Sequence, residues 1–155
     1  MKIIYEIFII TINALSIPFR LFSKKIDLFH EGRKDTFKVL KKNINPNEKN
    51  IWFHVSSLGE FEIARPIIDE LKIKVNNLKI LVTFFSPSGY ENVKNYKHAD
   101  SITYLPVDSA NNSKTFIKYV NPKVAVIIKN DIWPNYISEL KENNSIIYSV
   151  SSKFK

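Results

Sequence analysis

The hydrophobic pattern of the chain alternates between short continuous apolar runs and stretches with helical spacing. Continuous runs are typical of strands buried on both faces of a sheet, and apolar residues three or four positions apart are typical of helices. Five strands alternating with four helices predict an α/β domain with a parallel sheet. The predicted strands are 51–55, 78–85, 102–105, 123–128 and 145–150, and the predicted helices are 61–75, one opening near Ser88, 109–120 and 133–142.

Residues 3–22 are almost wholly apolar, and their polar side chains recur at helical spacing on one narrow face. This pattern predicts an anchor helix over residues 1–22. A spanning helix needs ~20 apolar residues, and Glu6 and Pro18 interrupt the segment, so lying in the membrane surface fits the sequence as well as crossing it. A helix docked on a protein partner, or on a missing part of the same polypeptide, is the alternative. The polar stripe consists of Lys2, Glu6, Asn13, Ser16 and Arg20.

Basic residues follow the apolar segment, at positions 24, 25, 33 and 34. Basic residues beside a membrane segment favour the cytoplasmic side, so we expect the rest of the chain to lie on the cytoplasmic face. Residues 23–50 predict a helical connector with a turn at Gly32. The sheet domain is then expected over residues 51–155.

The amino-acid composition and the absence of several known motifs mainly exclude classes of function. The net charge is +8, but lysines are scattered along the whole chain without an RNA-reading aromatic motif, so no nucleic acid partner is expected. The chain has no cysteine, and its three histidines are dispersed, so we expect no metal. The phosphate-binding motifs G-x-G-x-x-G and G-x-x-x-x-G-K-[ST] and the elbow G-x-S-x-G do not occur, so neither a cofactor held by such loops nor an activated serine is expected.

The stretch I-W-F-H-V-S-S-L-G-E at residues 51–60 carries the sharpest chemical signal. Its apolar strand breaks into small residues and ends on Glu60, at the edge of a parallel sheet where ligands and chemistry gather. Glu60 is therefore a candidate reactive carboxylate. The same residues fit a capping box, in which Ser57 and Glu60 satisfy backbone donors at a helix start. Both interpretations stay open on this stretch alone.

Three other loops leave the same edge of the predicted sheet, at residues 85–88, 106–108 and 129–131. They supply hydroxyl groups, an ammonium group and helix N-termini, whose positive ends suit the phosphate or carboxylate groups of an anionic substrate. A second capping box is predicted at Ser88 and Glu91. The candidates for substrate binding are Ser57, Gly59, Ser86, Ser88 and Asn130.

An apolar N-terminal anchor is followed by five short motifs, which are F-H-V-S-S-L-G-E (53–60), T-F-F-S-P-S-G-Y (83–90), Y-L-P-V-D (104–108), N-P-K (121–123) and W-P-N-Y (133–136). In this order the motifs resemble the 3-deoxy-D-manno-octulosonic acid (Kdo) transferases of Gram-negative envelopes. The resemblance covers residues 1 to about 152 but only the first half of that family. It implies a Rossmann-like acceptor-binding domain of a GT-B glycosyltransferase at the cell inner membrane.

The resemblance also implies transfer of Kdo from CMP-Kdo to a lipid A precursor, with Glu60 as the proton acceptor. Lys129 falls where many members carry a Glu that stabilises the transition state, and an ammonium group there would instead stabilise an oxyanion or a phosphate. The half that binds CMP-Kdo lies outside the resemblance. This chain alone is therefore expected to be inactive and to need a donor-binding C-terminal domain, which a separate gene could encode.

A hypothesis from a different class remains beside this one. The chain could be a membrane-tethered, Rossmann-like binding module without catalytic activity, or a degenerate fragment. Only the transferase hypothesis explains all five motifs.

Overall fold

The computed structural model describes residues 2–129 and 131–152, and a five-stranded parallel sheet forms its centre. The strands are β1 (Asn50–Val55), β2 (Lys79–Phe84), β3 (Ser101–Tyr104), β4 (Val124–Ile128) and β5 (Ile146–Val150). They lie in the order β3-β2-β1-β4-β5, and each neighbouring pair is parallel. The α/β class and the parallel Rossmann-like sheet are therefore confirmed, with small shifts at the strand ends.

Strand β1 is central because both β2 and β4 pair with it. The chain first builds the sheet outwards from β1 through β2 to β3, and it then returns to the other side of β1 with β4. Sheets of this type bind ligands outside the carboxyl ends of the strands, at the point where the strand order reverses. That point lies between the loops that follow β1 and β4.

Helices cover both faces of the sheet. They are α1 (Lys2–Ser16), a 3-10 helix (Ile17–Leu21), α2 (Lys24–Lys34), α3 (Thr36–Asn43), α4 (Leu58–Lys74), α5 (Pro87–Val93), α6 (Ala110–Val120) and α7 (Pro134–Glu142). One core holds Phe53 and Val55 of β1 with Phe61 of α4, and the other holds Trp52 of β1 with Leu140 of α7. Successive residues of a strand point to opposite faces, which is why β1 feeds both cores.

Helix α1 contacts the domain through Tyr5, Glu6 and Ser16, and its apolar face is turned away from the domain. Tyr5 donates its hydroxyl to Asp108 Oδ2 at 2.8 Å, and the Glu6 carboxylate accepts the Ala110 backbone N–H at 3.0 Å. Ser16 Oγ lies 2.8 Å from His30 Nε2. The outward side chains are exposed, for example Ile3 by 76% and Leu15 by 64%. Polar contacts along the whole helix thus leave a wide apolar surface facing outwards.

By length and composition, residues 3–21 could cross a membrane, with a mean hydropathy of 1.5 and none of the window buried in the domain. The segment is not one continuous α-helix, because a 3-10 helix begins at Ile17 and Pro18 is its second residue. The contacts of Tyr5 and Ser16 keep α1 against the domain at both of its ends.

Two local predictions are wrong for physical reasons. No turn forms at Gly32, which lies inside α2, where an added Cβ would come within 2.1 Å of the Tyr104 ring. The glycine therefore permits close packing of a helix. The predicted capping box at Ser88 and Glu91 does not form either, since α5 begins at Pro87 and its N-cap is Ser86. Proline is favoured at the first helical position, which moves the cap back.

Arg33 is a partly buried structural residue, although its position after the anchor suggested a membrane-flanking charge. Its guanidinium donates to the carbonyl oxygens of Leu105 and Phe85 at 2.8 Å and lies 3.6 Å from the centre of the Phe29 ring. Burial lowers the pKa of Arg33 to about 9, so the group keeps its charge at neutral pH. Arg33 thus ties α2 to the carboxyl ends of two strands.

Candidate active site

Glu60 lies in the first turn of α4, directly after the loop that leaves β1. Ser57 is the N-cap and accepts the Glu60 backbone N–H at 3.4 Å. The Glu60 carboxylate does not complete a capping box with Ser57. Its Oε2 instead accepts the Ser56 backbone N–H at 2.6 Å, one residue further back. Half of the predicted cap therefore forms, and the carboxylate is held at the carboxyl end of β1.

The two carboxylate oxygens of Glu60 are not equivalent. Oε2 is bound to Ser56, whereas Oε1 accepts no hydrogen bond from any residue that the structure describes. The side chain is half-buried. One oxygen thus fixes the orientation of the group, and the other is available to accept a proton from a ligand.

Asp131 supplies a second carboxylate to the same loop. Its Oδ2 accepts the hydroxyl of Ser56 and lies 2.9 Å from His54 Nε2. Burial raises the pKa of Asp131, but the hydrogen bonds to His54 and Ser56 and the charge of His54 outweigh burial and lower it below its ordinary value. Asp131 is therefore ionised at neutral pH, and it joins the loop after β4 to the loop after β1.

A chain of hydrogen bonds behind Asp131 holds His54, which is 1% exposed. Trp52 Nε1 donates to Thr83 Oγ1 at 2.7 Å, and Thr83 Oγ1 lies 2.9 Å from His54 Nδ1. When the Thr83 hydroxyl donates to Nδ1, Nε2 carries the proton that reaches Asp131. The tautomer of a buried histidine is set in this way by the partner of its other nitrogen. This series of hydrogen bonds, from Trp52 through Thr83 to His54, orients Asp131 from within the core.

Lys129 follows β4 in a left-handed backbone conformation, with φ of 58°. Its backbone is tied to β5, since its N–H donates to Val150 O at 2.8 Å and its carbonyl accepts the Ser149 hydroxyl at 3.2 Å. The side chain is exposed, and its ammonium group has no hydrogen bond or ion pair within residues 2–129 and 131–152. The structure therefore places a cation at this edge of the sheet that no described residue pairs, and it gives Lys129 no bond to Glu60.

The other predicted site residues fall into two groups around the Glu60 loop. Ser57 is used as a helix cap, and Gly59 is exposed, with open space where a Cβ would be. Ser86 and Ser88 are joined by a hydrogen bond of 2.9 Å between their hydroxyls, and the Ser86 backbone N–H donates to Ser56 O at 3.0 Å. Asn130 lies outside the described residues.

Two of the helix N-termini expected to bind an anion already carry carboxylates of this chain. Asp108 accepts the backbone N–H groups of Asn135 at 3.2 Å and Tyr136 at 3.1 Å, in the first turn of α7. Glu6 occupies the start of α6. Burial raises the pKa of Asp108 in spite of hydrogen bonds that lower it. The start of α4 likewise carries Glu60 and the Ser57 cap, so α5 has the remaining helix start at this edge among the described residues.

Asp131, His54 and Asp108 are the residues that sequence reasoning left out of the site. Asp131 stands inside the loop already singled out at 129–131, and its proximity to Ser56 follows from the pairing of β4 with β1. His54 stands in the motif at 53–60 but gave no signal, because its partners come from β2 and from the segment between β4 and α7. Among the described residues, no cluster of three or more His, Cys, Asp or Glu could hold a metal ion.

A half-buried carboxylate with one oxygen unpaired among the described residues, close to the start of α5, can take a proton from a hydroxyl group of an anionic ligand. With the parallel sheet, this arrangement is compatible with the N-terminal domain of a glycosyltransferase. A family model described as 3-deoxy-D-manno-octulosonic-acid transferase (kdotransferase) matches residues 31–155. The chain belongs to this family.

Curated relatives agree with this assignment. A 3-deoxy-D-manno-octulosonic acid transferase of Haemophilus influenzae is 35% identical over 61% of this chain, and one of Aquifex aeolicus is 35% identical over 65% of it. A bifunctional glycosyltransferase/methyltransferase of Fusobacterium nucleatum is 32% identical over 69% of the chain. The match spans only 22%, 30% and 17% of the length of these three relatives, in that order.

Proposed function

We propose that this domain binds the acceptor in an enzyme that transfers Kdo from CMP-Kdo to a lipid A precursor. The observation that carries the proposal is the carboxylate of Glu60, held by the Ser56 N–H through one oxygen while the other stays free. Family membership supports the transferred sugar, and the start of α5 with the ammonium group of Lys129 at the same edge favours an acceptor with anionic groups.

In the proposed reaction, a hydroxyl oxygen of the acceptor attacks the anomeric carbon of Kdo. The new carbon–oxygen bond forms as the bond to the CMP phosphate breaks, and CMP leaves with the electron pair. Glu60 Oε1 takes the hydroxyl proton. A carboxylate is a weak base towards an alcohol, so the proton moves late and position matters more than basicity.

Asp131 and Lys129 have different roles in this proposal. Asp131 is a positioning residue, because it accepts the Ser56 hydroxyl and the Ser56 backbone N–H in turn holds Glu60. Lys129, with its free ammonium group, is the candidate that stabilises negative charge on the donor phosphate as the bond breaks. Donor binding itself is assigned to a second domain facing this one in a GT-B arrangement.

The membrane arrangement follows from α1. Its polar contacts to Asp108 and His30 hold it against the domain, and its apolar face points outwards. We place α1 in the inner membrane surface on the cytoplasmic side, lying along the bilayer rather than crossing it. The acceptor glycolipid would then reach the domain from the same lipid layer.

The test is Kdo transfer by this chain combined with a donor-binding half, using CMP-Kdo and a lipid A precursor. We expect transfer by the pair, none by this chain alone, and a loss of at least ~10²-fold in the pair carrying Glu60→Gln. Turnover of CMP-Kdo by this chain alone would disprove the need for a second half. A pair that binds both substrates but never transfers Kdo would favour the non-catalytic module.

A further inference from the structure

A cavity of about 410 Å³ lies between helix α1 and the carboxyl edge of the sheet. Small-molecule sites usually measure ~300–1,000 Å³, so its size is that of a ligand pocket. Its walls are mainly apolar and come from α1, α2 and the loops that follow β2 and β3. The main wall residues are Ile9, Ile12, Ile26, Phe29, Phe85 and Val107.

The polar residues of the cavity differ in how their groups are occupied. Asp108 is bound by Tyr5 and by two backbone N–H groups of α7, and Ser16 donates to Asn13 O and contacts His30. Lys25 is exposed and has no hydrogen bond or ion pair with any described residue. The cavity therefore combines apolar walls with one unpaired cation, which is the chemistry of a site for an anionic amphiphile.

The cavity borders the surface that we place in the membrane. Ile12 lines the cavity and is 49% exposed on α1, next to the outward apolar face of that helix. The apolar surface of α1 therefore reaches the cavity wall at Ile12. A soluble ligand would not need this continuity.

The cavity also adjoins the candidate active site. Its wall residue Trp133 stacks on Phe85, with ring centres 4.9 Å apart, and the Trp133 indole nitrogen lies 3.2 Å from His54 Nε2. On the same side, the backbone of Ser86 is bonded to Ser56. A ligand in the cavity therefore lies close to the loop that holds Glu60.

We propose that this cavity holds one acyl chain of the anionic glycolipid acceptor, while Lys25 binds an anionic group of its headgroup. The identity of the glycolipid rests on the proposed function. Binding of an alkyl chain with an anionic head does not, because it depends only on the walls of the cavity and on Lys25.

The test is photolabelling of the full chain in phosphatidylcholine nanodiscs with a dodecyl phosphate that carries a terminal diazirine. Labelled positions are mapped by mass spectrometry. We expect label on Phe29 or Phe85 in the cavity as well as on Phe8, which is exposed on the outer face of α1. Label confined to the outer face would overturn the proposal.

Val107→Trp fills the cavity and is expected to lower cavity labelling at least ~10-fold while Phe8 labelling stays the same. Val75→Trp is the matched control, because Val75 is 38% exposed at the end of α4, away from this cavity. Unchanged cavity labelling in a folded Val107→Trp variant would contradict the proposal.

Lys25→Gln tests the headgroup without disturbing the walls, and Lys38→Gln is its control, since both lysines are exposed. We expect Lys25→Gln to lower cavity labelling by the dodecyl phosphate several-fold and to leave labelling by the matching diazirine dodecanol unchanged. Equal labelling by both probes, insensitive to Lys25, would mean that a bulk lipid chain occupies the cavity, and would overturn the assignment.

The proposed alkyl-chain site and the proposed catalytic function can be disproved separately. Cavity labelling without Kdo transfer by the two-domain pair would overturn the proposed function and support the cavity as an alkyl site. Kdo transfer that Val107→Trp leaves at its full rate would overturn the acyl-chain assignment and support the proposed function.

Discussion

Glu60 and Asp131 bind the same residue, Ser56. Glu60 Oε2 accepts its backbone N–H at 2.6 Å, and Asp131 Oδ2 accepts its hydroxyl. The two carboxylates come from the loops after β1 and β4, which flank the point where the strand order reverses. Ser56 therefore couples the candidate base to the loop that also carries Lys129. A substitution at Asp131 should change the position of the Glu60 carboxylate.

Asp131→Asn is expected to lower stability at neutral pH by ~1–3 kcal/mol, because it weakens hydrogen bonds to a charged group. The pKa of Asp131 is lowered in the folded protein, so ionisation favours folding. Its contribution is complete above the unfolded pKa near ~3.9 and is lost as the pH falls through the lower folded value. The difference in melting temperature from the unsubstituted chain should therefore shrink between about pH 5 and pH 3.

Asp35→Asn is the control for this pH series, because Asp35 is exposed and its side chain makes no hydrogen bond at the start of α3. It should melt with the unsubstituted chain at every pH. A gap for Asp131→Asn that stays constant down to pH 3 would show that the loss is steric and not one of charge.

Gly32→Ala is expected to destabilise the fold even though alanine favours helices by ~1 kcal/mol over glycine. The new Cβ would lie 2.1 Å from the Tyr104 ring, and overpacking of this kind typically costs ~1–3 kcal/mol. Gly59→Ala is the matched control in α4, since nothing lies within 4 Å of its added Cβ. Thermal melting should rank Gly59→Ala above Gly32→Ala, and equal melting temperatures would contradict the packing argument.

The sheet could be predicted from the sequence because each strand is a local apolar run. Val124–Ile128 and Lys79–Phe84 are buried on both faces, and such strands leave continuous hydrophobic stretches that need no partner to be recognised. The cap at Ser57 is equally local, since its partner is three residues away. These features depend on residues close together in the chain.

What the sequence could not predict depends on contacts between distant segments. Asp131 lies 75 positions from Ser56, and only the pairing of β4 with β1 brings the two together. Tyr5 and Asp108 are 103 positions apart, so the residues around Tyr5 do not indicate that Asp108 is its partner. The prediction of a turn at Gly32 failed for a related reason. The sequence alone does not distinguish a glycine needed for packing against Tyr104 from one needed for a turn.

Deleting residues 1–22 is expected to release the chain from membranes without unfolding the sheet. The helix contacts the domain through polar side chains such as Tyr5 and Glu6, and its apolar face is too large to remain in water. Membrane sedimentation in high salt and circular dichroism measure the two effects. Tyr5→Phe, which removes one docking bond, should still sediment. A truncated chain that stays with membranes in high salt would disprove the anchor.

Lys129→Ala is expected to lower Kdo transfer by ~10-fold or more in the two-domain enzyme, because a free cation at the end of β4 would no longer stabilise phosphate charge. Stability should barely change, since alanine meets the same left-handed strain and the side chain has no described partner. Lys123→Ala is the control, as Lys123 is exposed just before the other end of β4. Equal rates for both variants would make Lys129 merely solvated. Lys129→Glu tests whether a carboxylate serves better there.

Ser57→Ala and Glu60→Gln separate capping from catalysis, because the structure divides the two jobs between these residues. Ser57 caps α4 by accepting the Glu60 N–H, so its loss should cost ~1 kcal/mol and lower the melting temperature by a few degrees. Glutamine at position 60 can still accept the Ser56 N–H through its carbonyl oxygen, so Glu60→Gln should melt close to the unsubstituted chain.

The effects on rate should be reversed. Glutamine offers no basic oxygen at neutral pH, so Glu60→Gln should lose at least ~10²-fold in Kdo transfer, or roughly 3 kcal/mol of transition-state stabilisation. The cap variant keeps both carboxylate oxygens of Glu60, and it serves here as a stability reference. A Glu60→Gln enzyme that keeps its rate but melts as low as Ser57→Ala would make Glu60 a structural residue and would remove the base from the proposed reaction.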